Sequence, residues 1–212
     1  MNVCLRQFGL DKLQSYYNDM TNNRFRTVSV ASGIGVVEYA IQNPLRPIIC
    51  VDPDPHSFQC ADSSLKDTIM PHYAYCKYLV EQQPDIVGNC NLMLNWPEND
   101  DGGRYDVESI ALLQPLRILL VIESTGSGGS DLFYQFLKQK IHGFEPVERD
   151  FSWVDESPVE FDWSRVQHYH VVRSDVVRFE TGSSFSSKNF RLLLLSSTKQ
   201  RRPSVQIYRM IE

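Results

Sequence analysis

Apolar positions along the chain recur first with helical and then with strand-like spacing. Leu10, Leu13, Tyr16, Tyr17 and Met20 recur at helical spacing, which predicts an amphipathic helix over residues 9–21, closed by Asn22-Asn23. Arg26–Ala31, with β-branched Thr27, Val28 and Val30, reads as a short buried strand. It enters the turn Ser32-Gly33-Ile34-Gly35 and then a helix from Val36 to Gln42, ended by Pro44 and Pro47. Pro47–Asp52 predicts a second buried strand, broken by Pro53 and Pro55. Residues 56–90 are patterned weakly, with a helix expected over Tyr73–Gln83 and Tyr75, Leu79 and Val80 facing in.

Asn91–Asn95 predicts a third strand, stopped at Trp96-Pro97, and the acidic, Gly-containing stretch Glu98–Arg104 predicts a loop. A helix follows over Tyr105–Gln114, and Arg117–Glu123 is the strongest strand pattern in the chain. After the Gly/Ser loop Ser124–Ser130, Asp131–His142 predicts a helix with Ser130 as N-cap and Gly143 as the closing glycine. Strands and helices alternating in this way imply an α/β fold: an open, mostly parallel sheet with helices on both faces. The tail departs from that rhythm. Pro146–Trp153, His168–Glu180 and Phe190–Ser196 look like strands, and Gly182–Lys188 is a Ser-rich turn. Without a long helix between them, the last strands are expected to pair antiparallel.

Composition changes the picture little. Hydrophobic residues make up 42 % and charged residues 22 %, and the net charge is −5. That suits one globular domain over residues 1–212 and argues against a bulk nucleic-acid binder. The cluster Lys199-Gln200-Arg201-Arg202 reads first as a solvated loop; together with Arg173, Arg178 and Lys188 it leaves nucleic acid as a secondary partner through a local basic rim. The five cysteines are odd in number and lack C-x-x-C spacing, so reduced thiols in cytoplasm or nucleus are expected. No apolar run is long enough for a membrane span, and residues 1–6 lack a signal-peptide layout.

The chemistry concentrates at the first strand–helix turn. In an open parallel sheet, ligands bind beyond the carboxyl ends of the strands where strand order reverses. Gly33 and Gly35 would let backbone approach a ligand closely. Asp52 closes the second strand, where a carboxylate can accept hydrogen bonds from ribose hydroxyls, and Asp54 is the alternate acid. The dinucleotide fingerprint G-x-G-x-x-G is not completed, because Glu38 stands at its third glycine. A carboxylate there suits a ligand with a cationic end rather than a pyrophosphate. The P-loop pattern is absent, and no metal centre is expected.

Ala31-Ser32-Gly33-Ile34-Gly35-Val36-Val37-Glu38 resembles the first motif of class I, Rossmann-like S-adenosylmethionine-dependent methyltransferases, and Val51-Asp52 resembles their second. Asn95-Trp96-Pro97 is similar to the Asn/Asp-Pro-Pro-aromatic motif of amino-group methyltransferases. It is closer to a Trp-Pro variant in small methyltransferase-like proteins of eukaryotes and large DNA viruses. The loop Glu123-Ser124-Thr125-Gly126 is similar to an acidic, Gly-rich loop in those proteins.

The resemblance covers roughly residues 25–196. With the helix read from periodicity, the expected organisation is a single methyltransferase-like domain: an N-terminal helix (1–24), a nucleoside-binding core (25–143) and an antiparallel C-terminal part (144–212). The resemblance also implies S-adenosylmethionine as cofactor, bound by Ser32, Gly33, Gly35, Glu38, Asp52 or Asp54. Methyl transfer to a nitrogen or oxygen would then be carried by Asn95, Trp96 and Pro97, with Glu123 or Glu98 as base. Two departures stand out. Ala31 replaces the usual glycine or acid, and Glu98-Asn99 follow Pro97 where a proline and an aromatic are expected. A catalytically inactive protein of the same fold, binding or structural, is the alternative, and a nicotinamide-dependent oxidoreductase the second alternative.

Three further features carry weaker readings. His168 and His170, two apart on a strand, share a face; a satisfied or solvent-facing pair is the expected reading and a metal pair the alternative, with no third ligand evident. Trp153, Phe161 and Trp163 stud an acidic loop that is either a lid or partner surface or a plain loop anchored by these aromatics. Tyr16 and Tyr17 would either cover the cofactor or pack in the core.

Overall fold

The computed structural model describes residues 7–33, 35–43, 45–52, 72–97, 104–124, 128–145, 160–181 and 186–199. Side chains of 7, 8, 72 and 179–188 lie outside that description. The strand candidate Pro146–Trp153 and the basic pair Arg201-Arg202 also lie outside it.

The elements are α1 (Gln7–Thr21), β1 (Arg26–Val30), α2 (Val36–Ile41), β2 (Ile49–Val51), β3 (His72–Tyr73), α3 (Cys76–Gln82) and β4 (Cys90–Asn95). They continue with α4 (Tyr105–Leu113), β5 (Arg117–Glu123), α5 (Asp131–Lys140), β6 (Ile141–His142), β7 (Tyr169–Thr181) and β8 (Ser186–Ser197). The strands form one sheet in the order β3-β2-β1-β4-β5-β8-β7-β6. β1 pairs parallel with β2 and β4, and β5 pairs parallel with β4. β8 alone reverses, running antiparallel to both β5 and β7. This is the open, mostly parallel Rossmann-like sheet with an antiparallel C-terminal pair.

Side chains along each strand alternate between two hydrophobic layers. Val28, Val30, Leu92, Leu94, Ile118 and Leu120 pack with α3, α4 and α5 residues such as Leu79, Ile110 and Phe136. Cys50, Met93, Leu119, Val121, Leu192 and Leu194 pack with α1 residues Leu13, Tyr16, Tyr17 and Met20. Both faces are therefore covered, which is why the strands read as continuous apolar runs.

Tyr16 and Tyr17 are buried in the α1 layer and do not cover a crevice. The Tyr16 hydroxyl donates to Asp175 Oδ2 at 2.7 Å, and Arg173 lies over its ring at 4.2 Å, which pins α1 to β7. Burial, then the hydrogen bond to Asp175, raises the Tyr16 hydroxyl well above its usual pKa.

Two predicted helices are shorter than their patterns. Residues 73–83 divide into β3 and α3, and Tyr75 is exposed rather than inward. α5 stops at Lys140 because Ile141 and His142 pair with Tyr169 and His170 of β7. Ser130 caps α5 as expected, accepting from the Phe133 N–H at 3.2 Å. No helix among the described residues is long and apolar enough to cross a membrane.

Candidate functional site at the carboxyl edge of the sheet

Strand order reverses between β1 and β4: one continues into β2 and β3, the other into β5. The ends of β1, β2, β4 and β5 bring Ala31–Gly35, Asp52, Asn95–Pro97 and Glu123-Ser124 to one edge beside that switch point. The β1–α2 turn is built from left-handed residues, Ala31 at φ 60°, Gly33 at 55° and Gly35 at 77°. Glycine accepts this without cost, whereas Ala31 carries about 1 kcal/mol of strain. Asp52 Oδ2 accepts the Gly33 N–H at 2.7 Å, so the carboxylate at the end of β2 is fastened to the glycine turn.

Beneath this turn Glu38 points into the protein and is fully buried. Its Oε1 accepts from the Ser29 hydroxyl at 2.6 Å and from the Asn95 amide at 3.4 Å. Glu38 thus lies behind the edge, joining α2 to β1 and β4, rather than at the surface where a ligand's cationic end would meet it directly. An ionised carboxylate only accepts, so the Asn95 NH2 group turns inward and its Oδ1 is left on the side away from Glu38. Cys50 is buried among the same groups. Burial, then the nearby Glu38 charge, pushes its thiol far above the usual range, which favours the neutral thiol.

The segment after β4 is clamped. Trp96, a non-glycine residue at φ 48°, donates its N–H to Val121 O at 2.9 Å and stacks edge-on against Phe190 at 4.7 Å. The loop before α5 closes over it, with Gly129 N–H donating to Pro97 O at 2.7 Å. A Cβ on Gly128 would lie 2.7 Å from Trp96 Cδ1 and 2.9 Å from Pro97 O. Gly128→Ala is therefore expected to destabilise the fold by about 2 kcal/mol, since overpacked substitutions force backbone shifts. Thermal unfolding of the variant checks this, and an unchanged midpoint would show that the clamp is loose.

Asp106 at the start of α4 anchors this loop from below. It accepts the Ser130 N–H and hydroxyl, both at 2.8 Å, and the Val107 N–H at 2.7 Å. Burial raises its carboxyl pKa, and the Ser130 bonds work against that rise. The Tyr134 hydroxyl donates to Gly128 O and closes the same loop. Asp106→Ala would leave two buried Ser130 donors unpaired, each costing about 1–3 kcal/mol, so a loss of about 3 kcal/mol is expected in urea unfolding. The sequence shows Asp106 only as an ordinary acid in the first turn of an apolar helix. Nothing local reveals that Ser130 is its partner.

Glu123 ends β5, buried beside its neighbour Phe190 in β8. The next residue, Ser124, donates its N–H and hydroxyl to Asn189 O at 2.9 and 2.8 Å. Beyond that tie, β7 and β8 pair on to Thr181 and Ser186, so their hairpin overhangs the carboxyl edge. Asp54, Glu98 and Thr125-Gly126 lie outside the described residues, as do Pro53, His56 and Trp153. Phe161 and Trp163 pack edge-to-face at 5.0 Å against the helical layer. His168 lies at the opposite, amino-terminal edge of the sheet and stacks on His142 at 5.5 Å. No group of His, Cys, Asp or Glu among the described residues is arranged to hold a metal.

No family model and no curated protein matches the chain. Solved structures do match in fold. A Thermoplasma acidophilum protein aligns at TM-score 0.52 and 10 % identity, over 88 % of this chain and 83 % of its own. A SAM-dependent methyltransferase from Anabaena variabilis aligns at TM-score 0.44 and 14 % identity, over 93 % of this chain and 98 % of its own.

Proposed function

We propose that the chain binds S-adenosylmethionine at the β1–β4 switch point and transfers its methyl group to a nitrogen or oxygen of an acceptor. The observation that carries this reading is the Asp52 carboxylate held on the Gly33 N–H at 2.7 Å, beside a turn whose glycines expose backbone. The donor set fits that cofactor. A carboxylate at the end of β2 suits a ribose diol, and Glu123 at the same edge adds negative charge for a ligand bearing a sulfonium and an ammonium.

Ser32, Gly33, Gly35 and Asp52 would hold the cofactor, with Glu38 supporting them from behind. The cofactor supplies an already activated methyl group. The protein's task is then to position the acceptor and receive its proton. Asn95, its amide turned inward by Glu38, presents Oδ1 to an acceptor N–H or O–H. Trp96 and Pro97 shape the wall beside it, and Glu123 is the nearest described candidate for a base. Cytoplasm or nucleus is the compartment this reading assumes.

Isothermal calorimetry with S-adenosylmethionine and with its demethylated product tests the cofactor. Micromolar binding of both is expected, and the absence of heat with either, on folded protein, would end the proposal.

A second reading is a non-catalytic binding protein of the same fold. It is favoured by the engagement of Trp96 with Phe190, which takes the ring away from an acceptor, and by Glu98-Asn99 after Pro97. Cofactor binding without methyl transfer to any acceptor fraction would select it.

A further inference from the structure

The edge of the sheet opposite the crevice carries a group of basic side chains that the methyl-transfer reading does not use. His142 of β6 lies beside His170 of β7 in parallel register, and His168 precedes β7 by one residue. All three imidazoles are exposed. The rings of His142 and His168 stack at 5.5 Å with an interplanar angle of 26°. Lys140, the last residue of α5, lies near enough to act on His168 electrostatically. Lys199 follows Thr198, whose N–H and hydroxyl donate to His168 O at 3.0 and 3.1 Å.

Among the described residues, none of these five side chains is paired with a carboxylate. Elsewhere cations do find acids: Lys12 pairs with Asp175, Arg26 with Asp85 and Arg173 with Asp19. Among the described residues, a chain with a net charge of −5 thus gathers at one place positive and protonatable groups that pair with no described carboxylate. Like charges so arranged repel one another and gain most from an added anion. The flat, exposed imidazole faces add something an acidic peptide would not use, because nucleobases stack on histidine as on other aromatic rings.

We propose that Lys140, His142, His168, His170 and Lys199 form a binding surface for single-stranded nucleic acid, with the lysines on phosphates and the imidazole stack against a base. The surface is separate from the crevice at Asp52 and does not depend on what binds there. Desolvation, then Lys140 and His142, lowers the His168 pKa and so disfavours the charged ring in the free protein. A bound phosphate reverses the sign of the local field and favours protonation. Lys140 from α5, His142 from β6, His170 from β7 and Lys199 after β8 are the titratable groups gathered with it at this edge of the sheet. Affinity therefore rises as the pH falls.

The test uses the full chain without cofactor and a fluorescein-labelled 12-nucleotide oligouridylate, followed by anisotropy in 50 mM salt at pH 5.8 and pH 8.0. Binding is expected to be about tenfold tighter at pH 5.8 and to weaken steeply with salt. The pair Lys140→Glu and Lys199→Glu should weaken it at both pH values by tenfold or more. The pair His142→Ala and His168→Ala should remove the pH dependence while leaving the thermal midpoint unchanged. No binding at pH 5.8, binding indifferent to both pairs, or equally tight binding of a polyglutamate peptide would each overturn the proposal. The methyl-transfer reading stands or falls separately, by calorimetry with its cofactor.

Discussion

Asn95→Ala is expected to reduce methyl transfer by at least about a hundredfold while leaving S-adenosylmethionine affinity within a factor of about three. Removing one preorganised polar group from a reacting centre typically costs about 3 kcal/mol in the transition state. Asn95 contributes at the end of β4, whereas the proposed cofactor contacts lie in the β1–α2 turn and just after β2, so the two losses separate. Tritiated methyl incorporation into fractions of a cell extract measures the first, and calorimetry the second. Retained transfer in Asn95→Ala would remove Asn95 from the reaction.

The pairing with Glu38 sharpens the test. Asn95→Asp keeps an oxygen but sets a second carboxylate against Glu38 Oε1, now 3.4 Å from the Asn95 amide. It should be as inactive as the alanine variant and less stable. Adding Glu38→Gln supplies a donor facing the new aspartate and is expected to restore part of both activity and stability. A double-mutant cycle with no coupling would mean that Glu38 does not orient position 95.

Asp52→Ala carries the second large effect. A hydrogen bond to a charged group is worth about 1.5–3 kcal/mol, and Asp52 is proposed to make such bonds to the ribose while also holding the Gly33 N–H. Its loss is expected to weaken S-adenosylmethionine binding about 30- to 100-fold, and the cofactor's stabilising shift in thermal midpoint should nearly vanish. Asp52→Asn retains an acceptor for Gly33 but lacks the charge, so an intermediate loss of about tenfold is expected. Equal affinities in wild type, Asn and Ala would place the cofactor elsewhere or nowhere.

The strain at this edge has a physical pattern. Ala31 and Trp96 are both non-glycine residues in the left-handed region, and each follows the end of a strand flanking the switch point. Such conformations persist only where surrounding contacts over-determine them, and they cluster at functional sites. Around Trp96 those contacts are visible: Phe190, the Val121 carbonyl and the Gly128-Gly129 loop anchored on Asp106. Glycine at position 31, one of the two residue types the resemblance implies there, would relieve one of the two strains.

Much of the architecture was legible in the sequence because its signals are local. Strand runs such as Arg117–Glu123 are apolar on both sides when both faces are covered, and this pattern requires no knowledge of neighbours. The glycine turn and the acid nineteen positions later were legible for the same reason, since a βαβ unit fixes their separation along the chain. Segment ends were less legible. Ile141 and His142 continue a helical pattern, yet pairing with β7 draws them into a strand.

What only the tertiary structure decided are the pairings between residues far apart in the chain. The inward turn of Glu38 toward Asn95, the clamp of Gly128 on Trp96 and the hold of Asp106 on Ser130 join different elements. So does the meeting of His142 with His168. Each is a contact between side chains that periodicity places only on a face, and which face meets which depends on strand order and helix docking. Those are set by the sum of burial over the whole sheet, a quantity no short window of sequence contains.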